Sequence, residues 1–286
     1  MARIIGGIGT THVPAIGKAI ADKKHHDPYW KPFFSGFTAV HKWLQSERPD
    51  VAVVFSNDHG LNFFLDKLPT FAVGAASEYR NEDEGWGIPV SHAAKGDAPL
   101  SWHLINNLVA DGFDITMCQE MLIDHAVTIP LNLLWPQGGW PPIVPVAINT
   151  VQHPLPSMAR CFELGRSVGR ALASYPQDLK VVVIGTGGLS HQLDGERAGF
   201  INKEFDTLCM DQLSADPEAL TRYTIPQLVE LAGAQGVEFL NWMAMRGALG
   251  GTVRELHRNY HIPISNTAAA TLLFENRPRA ERRKAA

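Results

Sequence analysis

The sequence predicts an α/β fold of three layers, and three observations carry that prediction. Short continuous apolar runs alternate with longer segments of helical spacing along the chain. Two of the runs, at 51–55 and 181–184, show no polar alternation, as expected of strands covered on both faces. The apolar runs end in polar or glycine-rich stretches, where ligand sites of open α/β sheets lie.

Ile4, Ile5 and Ile8, interleaved with glycines, predict a first buried strand running into a loop. Residues 18–26 are polar and read as a surface excursion. Phe33, Phe37, Val40, Trp43 and Leu44 share one face of a helix predicted over 33–45. Pro49-Asp50 stops it, the strand at 51–55 follows, and 70–74 is another short strand. The stretch 76–96, with Gly85-Trp86-Gly87 and Pro89, reads as a long loop, and such loops are often functional. Helices are predicted over 100–109, 127–134, 157–174 (with Ser157 as N-cap), 202–213 and 236–245. Strands are predicted at 143–148, 180–184 and 267–274. One domain is expected over 1–275, followed by a basic, flexible tail at 276–286 with Arg277, Arg279, Arg282, Arg283 and Lys284.

Composition narrows the function classes. The 286 residues are 45% hydrophobic and 19% charged, which is ordinary for a globular protein. A net charge of −4 supplies no basic field for nucleic acid or an anionic membrane, so neither is expected as a partner. No apolar run approaches the length of a membrane span. Cys118, Cys161 and Cys209 form no CxxC pair, which argues against a disulfide framework or a zinc ribbon and for a cytoplasmic location.

Histidines follow three apolar strands: His12, His59 and His191. Two imidazoles and one carboxylate on one face form a triad that suits non-haem Fe(II) and leaves coordination positions open. His12 and His59 make the best pair. Asp58, Glu84, Asp124 and Glu238 are the candidate carboxylates. Glu238 stands out because Gly-Val-Glu-Phe-Leu-Asn-Trp is otherwise apolar, and a carboxylate among buried residues needs a cation or donors. It also suits the first turn of a helix, where the macrodipole favours a negative charge. His125 follows Asp124, so orientation by that aspartate is as good a reading as a functional role. Gly185-Thr186-Gly187-Gly188 lacks a Walker lysine and a GxGxxG pattern; it reads as close backbone approach beside a ligand. No GxSxG elbow accompanies Ser190.

Several motifs then match in order: Gly-Thr-Thr-His12-Val-Pro, Asn57-Asp58-His59, Asp83-Glu84-Gly85-Trp86-Gly87, Asp124-His125, 185–192, 202–206, 236–238 and 245–248. Together they resemble the class III extradiol ring-cleavage dioxygenases, in particular the protocatechuate 4,5-dioxygenase beta-chain family; gallate and 3-O-methylgallate dioxygenases share most of the set. The resemblance implies a three-layer α/β/α sandwich around a central mixed sheet. It implies Fe(II) held by His12, His59 and Glu238, His191 as acid–base residue, and His125 just behind the metal ligands or touching substrate. Asn57 would line the pocket, and Ser265 would contact the substrate carboxylate. The implied reaction is cleavage of protocatechuate by O2 to 4-carboxy-2-hydroxymuconate semialdehyde, with gallate or 3-O-methylgallate as alternative substrates. Different classes on the same residues would be a zinc hydrolase or a non-catalytic binding module. Trp86 favours the protocatechuate type, and residues 88–92 lack an arginine usual in the family. A small helical alpha chain in an α2β2 assembly is the implied partner, expected because no cap segment follows residue 274.

Overall fold

Strand-forming runs that are apolar on both faces need helices on both sides, and the chain supplies them. The computed structural model describes residues 1–276, so the predicted tail lies outside the described residues apart from Asn276. The strands are β1 (Arg3–Thr10), β2 (Val51–Ser56), β3 (Phe71–Gly74), β4 (Glu78–Tyr79), β5 (Ala94–Lys95), β6 (Thr116–Cys118), β7 (Ile143–Ile148), β8 (Lys180–Thr186), β9 (Val253–Ile264) and β10 (Thr267–Asn276). The helices are α1 (Pro14–Ala21), α2 (Lys31–Ser35), α3 (Thr38–Glu47), α4 (Ala98–Ala110), α5 (His125–Leu134), α6 (Met158–Ser174), α7 (Lys203–Ala215), α8 (Pro217–Leu220), α9 (Ile225–Ala232) and α10 (Phe239–Ala248).

Among the described residues, eight strands form one sheet in the order β6-β3-β7-β2-β8-β1-β10-β9. It is mixed, as expected. β7, β2, β8 and β1 run parallel, whereas β3 opposes β7 and β10 opposes both β1 and β9. Alternation within the central strands divides the core. Val51, Val53, Phe55, Val181 and Val183 pack with α4, α6, α7 and α10 on one face. Ala52, Val54, Val182 and Ile184 pack with α1, α3 and α5 on the other. The parallel central strands therefore aim their C-terminal ends at one rim of the sheet, and β1, β2 and β8 deliver His12, His59 and the 187–191 loop there.

α10 lies directly on the sheet. A Cβ on Gly9 would overlap the Trp242 ring, so the glycine in β1 is what lets this fully buried helix approach. At its other end Arg246, also buried, donates from Nε to Leu213 O (2.6 Å) and from its two terminal nitrogens to Gly250 O (2.8 Å) and Gly251 O (3.3 Å). Burial pushes its guanidinium down to about 10. Arg246→Met strands three carbonyls that tie α7 to the end of α10. Offset by relief of a buried charge, the expected loss is about 2–3 kcal/mol, read as a lower urea midpoint at unchanged m-value.

Sequence expectations and structure part in instructive places. The helix over 33–45 is broken into α2 and α3 at Gly36, whose carbonyl accepts a hydrogen bond from His257 Nε2 (2.6 Å). Its apolar face, including Phe33, Phe37, Val40 and Leu44, is still buried. The polar excursion at 18–26 begins inside α1. β9 and α9 were not expected. β9 is an edge strand carrying Arg254, Glu255 and Arg258, which conceals its periodicity. Ser157 caps α6 as expected, accepting from Arg160 N (3.1 Å).

Candidate metal centre

Four imidazoles and a carboxylate converge at the C-terminal rim of the sheet. His12 follows β1, His59 follows β2, His191 follows β8, and His125 is the first residue of α5. Glu238 closes a short 3-10 turn immediately before α10, rather than sitting inside the helix, so its carboxylate lies at the helix N-terminus. All five are largely buried except His59, which is partly open.

The ring nitrogens are set by outer partners. His59 donates Nδ1–H to Asp124 Oδ2 (2.8 Å), and its backbone N–H reaches the same oxygen (2.7 Å). His12 Nδ1 lies 3.2 Å from Thr186 Oγ1. Both histidines thereby turn Nε2 toward Glu238: His12 Nε2 is 3.2 Å from Oε2, and His59 Nε2 is 3.6 Å from Oε1. His12 Nε2 is buried and makes no hydrogen bond. Two imidazole nitrogens facing a buried carboxylate form a donor set that a divalent transition metal suits. One nitrogen each of His12, His59 and His125 also lie within 4.8 Å of one another, so His125 stands at the edge of the same cluster.

Charge follows the same geometry. Burial lowers the tendency of His12 to protonate, and this outweighs the pull of Glu238. Burial opposes charge on His59 as well, but the adjacent Asp124, helped by Glu238, pushes it up to about 10. Glu238 is buried, yet His12 and His191 hold its carboxyl well below the usual range. Asp124, buried against His59, is held down at about 2.

The candidate carboxylates separate by what they touch. Asp58 accepts from the backbone N–H groups of Gly60, Asn62 and Phe63 and serves its own turn. Asp124 orients His59, not His125. Glu84 takes His125 instead, accepting its backbone N–H and its Nδ1–H (both 2.7 Å). Glu238 alone of the four lies between the imidazoles of His12, His59 and His191. The 185–188 glycines make the close approach that was expected, but to Glu238 itself: Gly188 N–H donates to its Oε2 (2.9 Å), and a Cβ on Gly187 would lie 2.7 Å from Glu238 Cβ.

His191 Nδ1 lies 3.1 Å from Leu189 O, and its Nε2 is 3.7 Å from Glu238 Oε2. The segment carrying it is pinned by Asp206, which accepts Ser190 N–H (2.8 Å), Ser190 Oγ–H (2.7 Å) and Tyr260 Oη–H (2.7 Å). Asn57 Nδ2 lies 3.0 Å from His59 Nε2 and 3.4 Å from Glu238 Oε1. Ser265 sits exposed at the turn between β9 and β10, in the left-handed region at φ 55°. Two residues on, Thr267 bridges to His191. Sequence reasoning missed Asn241, which donates to Asn57 Oδ1 (3.2 Å) and Thr186 O (2.8 Å). The signal was present, since it is the second polar residue of the apolar 236–242 run, one helical turn after Glu238.

Asp124→Asn preserves shape but not charge. One Asp124 oxygen accepts both His59 donors and the other accepts Ala126 N–H (2.9 Å), so the amide NH2 must face a donor on one side or the other, and the negative charge that orients His59 is lost. Metal affinity is expected to fall about 10–100-fold, measured by competition with a chromophoric chelator; unchanged affinity would mean that His59 is not a ligand.

A family model described as the catalytic LigB subunit of aromatic ring-opening dioxygenase matches residues 6–270. The chain belongs to the LigB family. Gallate dioxygenase of Pseudomonas putida is 43% identical over 200 residues, 69% of this chain and 58% of that protein. A 2,3-dihydroxyphenylpropionate/2,3-dihydroxicinnamic acid 1,2-dioxygenase of Photorhabdus laumondii is 33% identical over 193 residues, 64% of this chain and 55% of that one. The chain thus spans little more than half the length of these two relatives. The crystal structure of the uncharacterized protein JW3007 from Escherichia coli K12 shares the fold, with a TM-score of 0.53 at 13% identity, covering 94% of this chain and 99% of the other. No helix among the described residues is long and apolar enough to cross a membrane.

Proposed function

We propose that this chain is an Fe(II)-dependent extradiol dioxygenase acting on a catechol that carries an acidic group, with gallate ahead of protocatechuate as substrate. One observation carries the metal: His12 Nε2, buried without a hydrogen bond, faces Glu238 Oε2, and His59 Nε2 lies 3.6 Å from the other oxygen of the same carboxylate. LigB membership supports ring cleavage. The gallate dioxygenase relative supports gallate, against the protocatechuate expectation drawn from the motif resemblance and Trp86. The helical partner chain rests on the sequence resemblance alone, and a cytoplasmic location on the three free thiols.

In this reading His12, His59 and Glu238 hold Fe(II), which when bound acidifies the diol and couples ring and dioxygen electronically. The protein residues do the rest. Asp124 and Thr186 lock the ligand rings. Asn57, anchored by Asn241, borders the ligands, and His125 lies against the substrate. His191 takes a proton from a substrate hydroxyl at Nε2 and returns it later in the reaction; imidazole suits both directions near neutral pH. Ser265 meets the substrate carboxylate.

The test is anaerobic Fe(II) reconstitution followed by O2 uptake with gallate, protocatechuate and 3-O-methylgallate. Stoichiometric uptake with gallate as the best substrate is expected. Uptake with none of the three, or equal turnover with zinc and iron, would overturn the reading. Ser265→Ala is expected to raise KM about tenfold for the carboxylated substrates, the weight of one lost hydrogen bond to a charged group, and to leave unsubstituted pyrogallol unaffected. An equal effect on both would remove Ser265 from carboxylate binding.

A further inference from the structure

Glu84 reaches the site from outside it. It belongs to the long connection between β4 and β5, and Asn81 clasps that loop onto itself through Ser91, accepting its N–H (2.8 Å) and donating to its carbonyl (3.1 Å). From this loop both Glu84 oxygens engage His125, Oε2 with the backbone N–H and Oε1 with Nδ1–H. Two residues further on, the Trp86 ring lies 6.2 Å from the His125 ring while remaining 56% exposed. His125 in turn stacks on His59 at 4.1 Å and stands edge-on to His12 at 5.5 Å.

We propose that Glu84 is a positioning residue: it fixes the tautomer of His125 so that Nε2 faces the cleft as a hydrogen-bond acceptor, and it makes docking of the 80–93 loop the condition for that state. The role of His125 toward a substrate hydroxyl rests on the functional reading above; its tautomer does not. The reasoning is one of donors and acceptors. A backbone N–H can only donate, so it occupies one Glu84 oxygen. The other oxygen, also an acceptor only, requires a proton on Nδ1. Neutral imidazole has one ring proton, so Nε2 keeps its lone pair. Asp124 holds His59 differently, one oxygen taking both its backbone N–H and its Nδ1–H, whereas Glu84 gives each donor its own oxygen. When the loop lifts away, His125 loses the partner that selects this tautomer.

A purely structural alternative exists, because Glu84 also satisfies a backbone donor at the start of α5. Glu84→Gln separates the two. Its amide oxygen still accepts the backbone N–H, so capping survives. Its NH2 then faces Nδ1 and forces the ring proton onto Nε2, turning the acceptor into a donor. The experiment is long-range nitrogen–proton NMR on the full-length, metal-free chain with 15N-labelled histidine, His125 being assigned by its absence in His125→Asn. The parent is expected to show the Nδ1–H tautomer at His125, and Glu84→Gln the Nε2–H tautomer. With Fe(II) restored, Glu84→Gln is expected to lower kcat/KM about 10–100-fold at unchanged metal content.

A parent chain in the Nε2–H form overturns the proposal without any variant. So does a Glu84→Gln chain whose tautomer does not change, or one that switches tautomer at full activity. Should Glu84→Gln fail to fold, the parent spectrum and a Glu84→Asp chain, too short to hold both donors, carry the same decision: mixed tautomers support the proposal and a fixed Nδ1–H form overturns it. A parent with the expected tautomer but no ring cleavage would sink the functional reading and leave the tether standing.

Discussion

Glu238→Gln is expected to leave the chain folded and to weaken metal binding more than about 100-fold, beyond what loss of an outer carboxylate produces. The substitution keeps the side-chain volume between Gly187 and the imidazoles. It removes the negative charge that balances a cation against the burial of the site. It also places an NH2 where the carboxylate accepts Gly188 N–H and Asn57 Nδ2–H, so one of those donors is left facing another. Turnover falls with the metal. The metal-free chain is expected to lose some stability as well, because His12 and His191 favour the ionised carboxylate and its removal leaves them without a buried partner. The measurements are metal content after dialysis against a weak chelator and the urea midpoint of both metal-free chains. Parent-like metal content would exclude Glu238 from the ligand set. A collapse in stability alone would recast it as a structural cap for α10.

The fold was legible wherever burial on both faces or a clean helical stripe wrote itself into the sequence. Residues 51–55 and 143–148 matched their strands because a central parallel strand needs no polar face. β9 was illegible for the opposite reason: an edge strand carries charges that break the pattern. The break between α2 and α3 came from a residue more than 200 positions away, His257 binding the Gly36 carbonyl, and no local pattern contains that.

Much of the site was legible, because strand ends in this architecture converge and histidines placed there are brought together. What could not be read was pairing. Asp124 is adjacent in sequence to His125 but orients His59, since one of its oxygens caps α5 by accepting Ala126 N–H and the other is left for His59. Glu84 and Thr186 acquire meaning only through contacts made by the folded chain. The identity of the third carboxylate was narrowed by an apolar setting, which marks Glu238 as a polar group held at a cost.

His191→Phe is expected to retain metal and lose about 10²–10⁴-fold in kcat, the span of general acid–base assistance. The backbone at this position is held independently of the ring: His191 N–H donates to Ala232 O (2.8 Å), and neighbouring Ser190 is fixed by Asp206. A benzyl ring of similar outline therefore fits without displacing the loop. What disappears is Nε2, 3.7 Å from Glu238 Oε2 and positioned by the Leu189 carbonyl behind Nδ1. Because that nitrogen is not needed to hold the metal in this reading, kcat should fall while metal content and KM stay near those of the parent. A fall in metal content would instead make His191 a ligand. Parent-like kcat would mean that proton transfer runs through another group, and His125, held as an acceptor by Glu84 against His59, would be the first residue to replace.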